Sequence, residues 1–589
     1  MLSHERINRR KDSLILSREI WQPCPADDVE VTLLRLSCST HCQQRDSDAI
    51  EMPGRVYASV LQRASSYTLP PTSTPCQYAV LSAFYCPKPR QAFPCHSSSW
   101  STFRSQHLHY SDEPGHWSQR KQHFSTHQDL AFHLNRVQVN SILRSNEQVV
   151  SVPEFDSWGL STVTRFDSNQ LAANIPNEDR RSAATCLHSE GMLFGVFDGH
   201  GGAACAQAVS ERLLYYIAVS MMPRKTLEKL EKCMEHGRPI PPILQWYKHH
   251  ADINYRESAS LYINHLRVFW QELLESEEHA EGMSPAEALD RAFKRLDSDI
   301  SLEAQVPLSN DLMKNTAIQV AFAGCTACVA HIGTDSIHLA NTGDCRAVMG
   351  VQEEDGSWSA LLLSDDHNSQ NQDEVERIKA QHPTSERDTV ITDDRLLGVL
   401  MPLRAFGDMR FKWSCELQQS ILSGLESRVD VDSLNLYQYS LPNYLTPPYL
   451  DVTPDIKYHK LRPQDRFLIL ATDGLWDELG SEEAVRLVGE HLSGIHLQAP
   501  VSRSERQVKL GQMLELLMKR RARAAPAVDT NAATHLIRHA VGTGEYGELC
   551  QEKLSSMLAL PEDLARMYRD DITVTVVFLN SDLARPHHR

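Results

Sequence analysis

From residue 327 to residue 364 the chain strings together four short apolar runs, ACVAHIG, SIHLANTG, CRAVMGV and SALLLS, with only brief turn-like stretches between them. Runs of this length, spaced this closely, have the pattern of a β-meander. MLFGVF at 192–197, RFLILATDG and DDITVTVVFLN extend the strand pattern on either side. Helical spacing appears in AACAQAVSERLLYYIAV, in AEALDRAFKRLDSDI behind a capping box of Ser284, Pro285 and Glu287, and in NAATHLIRHAV. Meandering strands with helices outside them predict an α+β fold of stacked sheets covered by helices, not a parallel doubly wound sheet.

Length alone, at 589 residues, allows several domains of roughly 150 residues each, but the patterned region is continuous from about 136 to 580 and is expected to form one domain. A net charge of −17 argues against nucleic acid or an anionic membrane as the main partner, and the absence of a long apolar run predicts no membrane span. Residues 1–135, rich in Ser, His, Pro, Gln and Arg, are expected to be a leader or disordered arm, and 581–589 a short tail. Within the arm no acid occurs between Glu51 and Asp112, while Arg55, Arg63, Lys88, Arg90 and Arg104 punctuate a Ser-rich stretch. That composition, at about 52–111, is that of a mitochondrial transit peptide, and it suggests translation from Met52, which N-terminal sequencing of the precursor would test. The C-x-x-C of Cys325 and Cys328 lies in a strand-like run with no second pair, which favours core packing over metal or redox chemistry.

Four acids sit at strand ends: Asp198 in VFDGHGG, Asp344 in LANTGDCRAV, Asp473 in LATDGLW and Asp570 in YRDDITV. A single Asp-Gly is usually a turn. Four of them, fixed by a sheet and flanked by glycines, suit Mg²⁺ or Mn²⁺, which prefer oxygen ligands and keep several waters.

Together with NEDRR at 177–181, the motifs DGHGG, TGDCRA, TDGLWDEL and DDITV fall in the order found in the metal-dependent type 2C protein phosphatases, and residues 140–580 resemble that family. The resemblance implies a central β-sandwich of two mostly antiparallel sheets flanked by helices, in four α-β-β-α layers. It implies two Mg²⁺ or Mn²⁺ ions: Asp198 bridging them, the Gly199 carbonyl on one, Asp473 and Asp570 completing the other, Glu178 and Asp179 acting largely through water, and Asp344 at the place of a weaker third ion. A hydroxide held between two cations would attack phosphorus directly. His200 matches the histidine that protonates the leaving alkoxide, or else supports a metal-ligating carboxylate.

Three departures from the family pattern stand out. Asn174 occupies the place of a phosphate-binding arginine, leaving Arg180, Arg181 or Arg404 to supply the charge. Asp366-His367-Asn368-Ser369 and Leu403-Arg404-Ala405-Phe406-Gly407-Asp408 stand for D-H-K-P and S-R-A-L-G-D, and Asp571 stands where Asn is common. These features, the phrases EDRRSAATC and LLGVLMPLRAFGD, and insertions at about 223–281 and 409–450 resemble the branch of the family that acts on the pyruvate dehydrogenase complex. That branch implies a mitochondrial matrix enzyme that removes phosphate from serines of the decarboxylase (E1 alpha) component. It also implies docking to the lipoyl-bearing core and pairing with a regulatory subunit. The alternatives are a type 2C phosphatase with another substrate and a silent adaptor of the same fold, the latter disfavoured because no metal-site acid is lost.

Overall fold

A computed structural model describes residues 133–580 except 153–160, 253–258, 277–278, 307–310, 426–440, 495–528 and 545–546. The transit-like stretch, Met52 and the 581–589 tail lie outside the described residues.

Strands β1 (Gln148–Ser151) and β2 (Val163–Leu171) open one sheet, and β3 (Arg180–Cys186), β4 (Met192–His200), β5 (Leu244–Trp246), β6 (Gly324–Ile332) and β7 (Ser336–Thr342) form most of a second. β8 (Arg346–Gln352) and β9 (Trp358–Leu362) return to the first; β10 (Ile391–Thr392) and β11 (Arg395–Leu396) form a separate hairpin. β12 (Phe406–Gly407) and β13 (Asp455–Lys460) join the second sheet, β14 (Asp465–Ala471) and β15 (Ile572–Leu579) the first. The sheet orders are β1-β2-β15-β14-β8-β9 and β13-β7-β6-β4-β3-β5, with β12 beside β6. The named pairings are antiparallel, as the meander predicts.

Helices α1 (Arg136–Arg144), α2 (Ala204–Met221), α3 (Ala259–Glu275), α4 (Pro285–Gln305), α5 (Asp311–Phe322), α6 (Ser481–Leu492) and α7 (Ala532–Gly542) supply the outer layers. Phe166 and Val577 of the first sheet meet Phe194, Val196 and Leu339 of the second in a core between the sheets. The outer face of the second sheet packs on α2 to α5, and that of the first on α1, α6 and α7. This is the four-layer sandwich. Among the described residues no helix is long and apolar enough to cross a membrane.

Local rules account for much of this. Ser284 Oγ accepts from Glu287 N–H at 3.4 Å, while Glu287 accepts from Ser284 N–H at 3.1 Å, so both halves of the capping box form at the head of α4. Along β6 side chains alternate: Cys325, Ala327 and Val329 face the helices, whereas Cys328, Ala330 and Ile332 face the other sheet. Three positions apart on a strand, Cys325 and Cys328 therefore point to opposite faces, and both are buried free thiols in core clusters.

The insertion at 223–281 is wired into the fold over its described part. β5 extends the second sheet beside β3, with Ala184 opposite Trp246. α3 buries Leu266, Phe269, Trp270 and Leu273, and its His265 bonds Glu303 of α4, which also accepts from Arg212 of α2. In the second insertion Phe411, Tyr449 and Leu450 pack with Leu396, Leu403 and Ala405 in a small cluster of their own.

Candidate metal centre

The sequence predicts that the strand carrying Asp198 closes at the Asp-Gly pair. Instead β4 runs on through Asp198, Gly199 and His200, which pair with Thr326, Cys325 and Gly324 of β6. The neighbouring strand supplies ladder partners where a turn was expected. By strand alternation Asp198 continues the face of Phe194 and Val196, so it points between the sheets. Gly199 has to be glycine, since a Cβ there would stand 2.4 Å from the Glu178 carbonyl oxygen.

Asp344 follows β7 beyond Gly343, and Asp473 follows β14 beyond Thr472. Asp198, Asp344 and Asp473 each offer an oxygen within 4.8 Å of the others. Burial, reinforced by the charge of Asp473, holds the carboxyls of Asp198 and Asp344 well above the ordinary range. Burial and the charge of Asp570 push Asp473 up to about 6. Asp473 Oδ1 is buried without a partner. Crowded carboxylates with an unmet acceptor lack positive charge, and an oxygen-preferring divalent cation fits that deficit.

Asp570 stands at the edge of the cluster, where it forms an ion pair with Arg566 and its Oδ1 accepts from Asp571 N–H at 2.7 Å. Asp179 is buried and its Oδ2 accepts from Thr472 Oγ1 at 2.8 Å, tying the Glu178–Asp179 segment to the residue before Asp473. Burial, then the charge of Asp571, raises both Glu178 and Asp179.

His200 Nε2 lies 2.5 Å from Asp408 Oδ2. Burial opposes the imidazolium, but the Asp408 carboxylate outweighs it and raises the histidine's pKa. A Cβ on Gly324 would fall 1.9 Å from His200 Nε2 and 2.2 Å from Asp408 Oδ2, so the pair exists because residue 324 has no side chain. Asp408 was missed as a site residue, although it ends the very L-R-A-F-G-D run that matches a family motif.

The arginines expected to replace the missing phosphate ligand are engaged elsewhere. Arg180 donates to Gln207 Oε1 and to the carbonyls of Asn177 and Asp179. Arg181 donates to Ser168 Oγ and the Asn146 carbonyl. Arg404 is buried and gives its guanidinium to Glu374, Asp455 and the Thr453 carbonyl. Asn174 itself donates its amide to Asp571 Oδ2 at 3.0 Å.

A two-sheet sandwich with aspartates converging at one end is the arrangement of a metal-dependent phosphatase. The chain belongs to the protein phosphatase 2C family. The model of that family, described as "Protein phosphatase 2C", matches residues 244–509. The chain is 55% identical over 471 residues to pyruvate dehydrogenase phosphatase 1, mitochondrial, of Pongo abelii, covering 79% of this chain and 86% of that one. To the human phosphatase 1 it is 54% identical over 470 residues (79% and 86%), and to the human phosphatase 2 54% identical over 463 residues (78% and 86%). Near-equal identity to both human forms does not separate them. The family depends on Mg²⁺ or Mn²⁺ in general, and the acidic cluster is the place here that could hold such ions.

Proposed function

We propose that this chain is a mitochondrial-matrix phosphatase that reactivates the pyruvate dehydrogenase complex by removing phosphate from serines of its decarboxylase component. The identity to relatives named as mitochondrial pyruvate dehydrogenase phosphatases supports the reading, over 86% of the length of each of the three compared. The catalytic domain is taken as residues 136–580. The carboxylate cluster is the observation that carries the chemistry.

Asp198, Asp473 and Asp570, with the Gly199 carbonyl, would hold two Mg²⁺ or Mn²⁺ ions, Glu178 and Asp179 would order water around them, and Asp344 would serve a weaker third. When bound, such ions lower the pKa of water and polarise the phosphoryl group. The chain's own residues do the rest. The β4 backbone fixes Asp198 and His200 on one face, Asp408 holds the imidazole through Nε2, and His200 would give the proton on its other ring nitrogen, Nδ1, to the departing serine oxygen. Thr472 holds Asp179 against the acid that follows it.

The described parts of the two insertions are anchored by packing, and by the family resemblance they would be the candidate surfaces for docking the lipoyl-bearing core and a regulatory subunit. The reading is tested by phosphate release from phosphorylated pyruvate dehydrogenase beside unrelated phosphoproteins, with Mg²⁺ titrated. Preference for the former supports it; equal turnover of all substrates would remove the substrate assignment while leaving the phosphatase intact.

A further inference from the structure

The carboxylate cluster carries much negative charge and must still bind a dianionic phosphoryl group. In relatives with the family pattern an arginine at position 174 would help; here Asn174 is neutral and its amide is held by Asp571. Arginines close to the site acids in sequence or in space are mostly committed. Arg346 forks onto Asp366 at 3.1 and 2.5 Å and lies over Trp476. Arg569 donates to the carbonyls of Ala172 and Asp570. Arg180, Arg181 and Arg404 are occupied as described above.

Arg566 differs. It follows the short helix Glu562–Ala565, its ion pair is with Asp570 at the cluster edge, and its side chain is 51% exposed. Its positive charge bears on Glu178 and Asp473 as well as on Asp570, Asp571 and Asp198. It is thus a guanidinium that faces the cluster from the solvent side.

We propose that Arg566 is the cation that grips the phosphoryl oxygens of the substrate, its guanidinium passing from Asp570 to the phosphate. A planar fork matches two phosphoryl oxygens as well as it matches a carboxylate. Asp570 cannot serve a divalent cation and a tight guanidinium pair equally, so loading the site weakens the hold on Arg566 and frees it for the incoming anion. This inference rests on the phosphatase reading, and it names a phosphate ligand on a different element from the family arginine.

The test compares wild type, Arg566→Ala and Arg566→Lys, with Mn²⁺ and inorganic phosphate as probes in titration calorimetry. Loss of the guanidinium should weaken phosphate binding to the Mn²⁺-loaded protein by about 10- to 100-fold, the factor expected for charge-assisted hydrogen bonds. The Lys variant should fall between. Mn²⁺ binding without phosphate should stay the same or tighten, because a competitor for Asp570 is gone. Phosphate affinity unchanged in Arg566→Ala would overturn the inference, as would parallel weakening of Mn²⁺ and phosphate, which would mean that Arg566 only supports the cluster. A wild-type protein that releases no phosphate from any phosphoprotein sinks the phosphatase reading instead, so the two failures are distinct.

Discussion

Asp571 and Asn174, the two residues that depart from the family pattern on either side of the site, are bonded to each other across 397 positions of sequence, Asn174 Nδ2 donating to Asp571 Oδ2 at 3.0 Å. The same carboxylate accepts the backbone N–H groups of Ala173 at 2.5 Å, Asn174 at 2.9 Å and Glu178 at 2.8 Å. The two departures are therefore one device, which clamps the segment leading to Glu178 against the start of β15. Asp571→Ala should destabilise the protein by about 1–3 kcal/mol, the cost of leaving the buried Ala173 N–H bare, with smaller additions from the half-buried donors of Asn174 and Glu178. Asn174→Ala, which strips one donor, should cost far less. Urea denaturation of both variants measures the difference, and equal losses would contradict the clamp.

Asp473→Asn should abolish activity and weaken Mn²⁺ binding, yet stabilise the metal-free protein. The carboxyl is raised to about 6 by burial and the charge of Asp570. An acid whose pKa is higher folded than unfolded carries no penalty below its unfolded value, and the penalty is complete above about 6. In EDTA at pH 7.5 the Asn variant should gain about 1–3 kcal/mol, and the gain should vanish near pH 4. Full activity in the variant would refute the metal assignment.

Gly324→Ala should separate His200 from Asp408, because the new methyl would occupy the space where they meet. General-acid loss bears most on poor leaving groups, by a typical factor of about 100 or more. Turnover of a phosphoserine peptide should accordingly fall much further than turnover of p-nitrophenyl phosphate, and Asp408→Asn should shift the ratio in the same direction. Equal loss on both substrates would point to damage of the cluster rather than of proton donation.

The buried network of Arg212, Glu303 and His265 joins α2, α4 and the inserted α3. Burial would raise Glu303, but Arg212 and His265 outweigh it and bring its pKa down to about 2. A depressed carboxyl stabilises fully above its unfolded value, and that contribution is lost as pH falls from about 4.5 towards 2. Arg212→Ala should cost about 3–5 kcal/mol at neutral pH by stranding a buried charge. Glu303→Gln should flatten the acid limb of the stability profile, read by denaturant midpoints from pH 2 to 7.

What the sequence made legible was local. Strands, the capping box at Ser284 and the acids beside β7, β14 and β15 follow from short-range patterns, and the four layers follow from strands and helices in that order. The site's wiring was not local. His200 meets Asp408 across 208 positions and Arg404 is claimed by Glu374 and Asp455, 30 and 51 positions away. No spacing rule reaches such pairs, so Arg404 looked available for phosphate and Asp408 looked like the end of a motif. Even the extension of β4 through Asp198 depends on β6, whose pairing a single strand's sequence does not announce.

That extension makes β4 a ruler. Two residues along a strand span about 6.5 Å, so the carboxylate at 198 and the imidazole at 200 stand a fixed step apart on one pleated face. Ladder partners on β6 hold that interval, Asp198 opposite Thr326 and His200 opposite Gly324. Adding or deleting one residue between them would turn His200 to the far side of the sheet, away from the carboxylate it works beside.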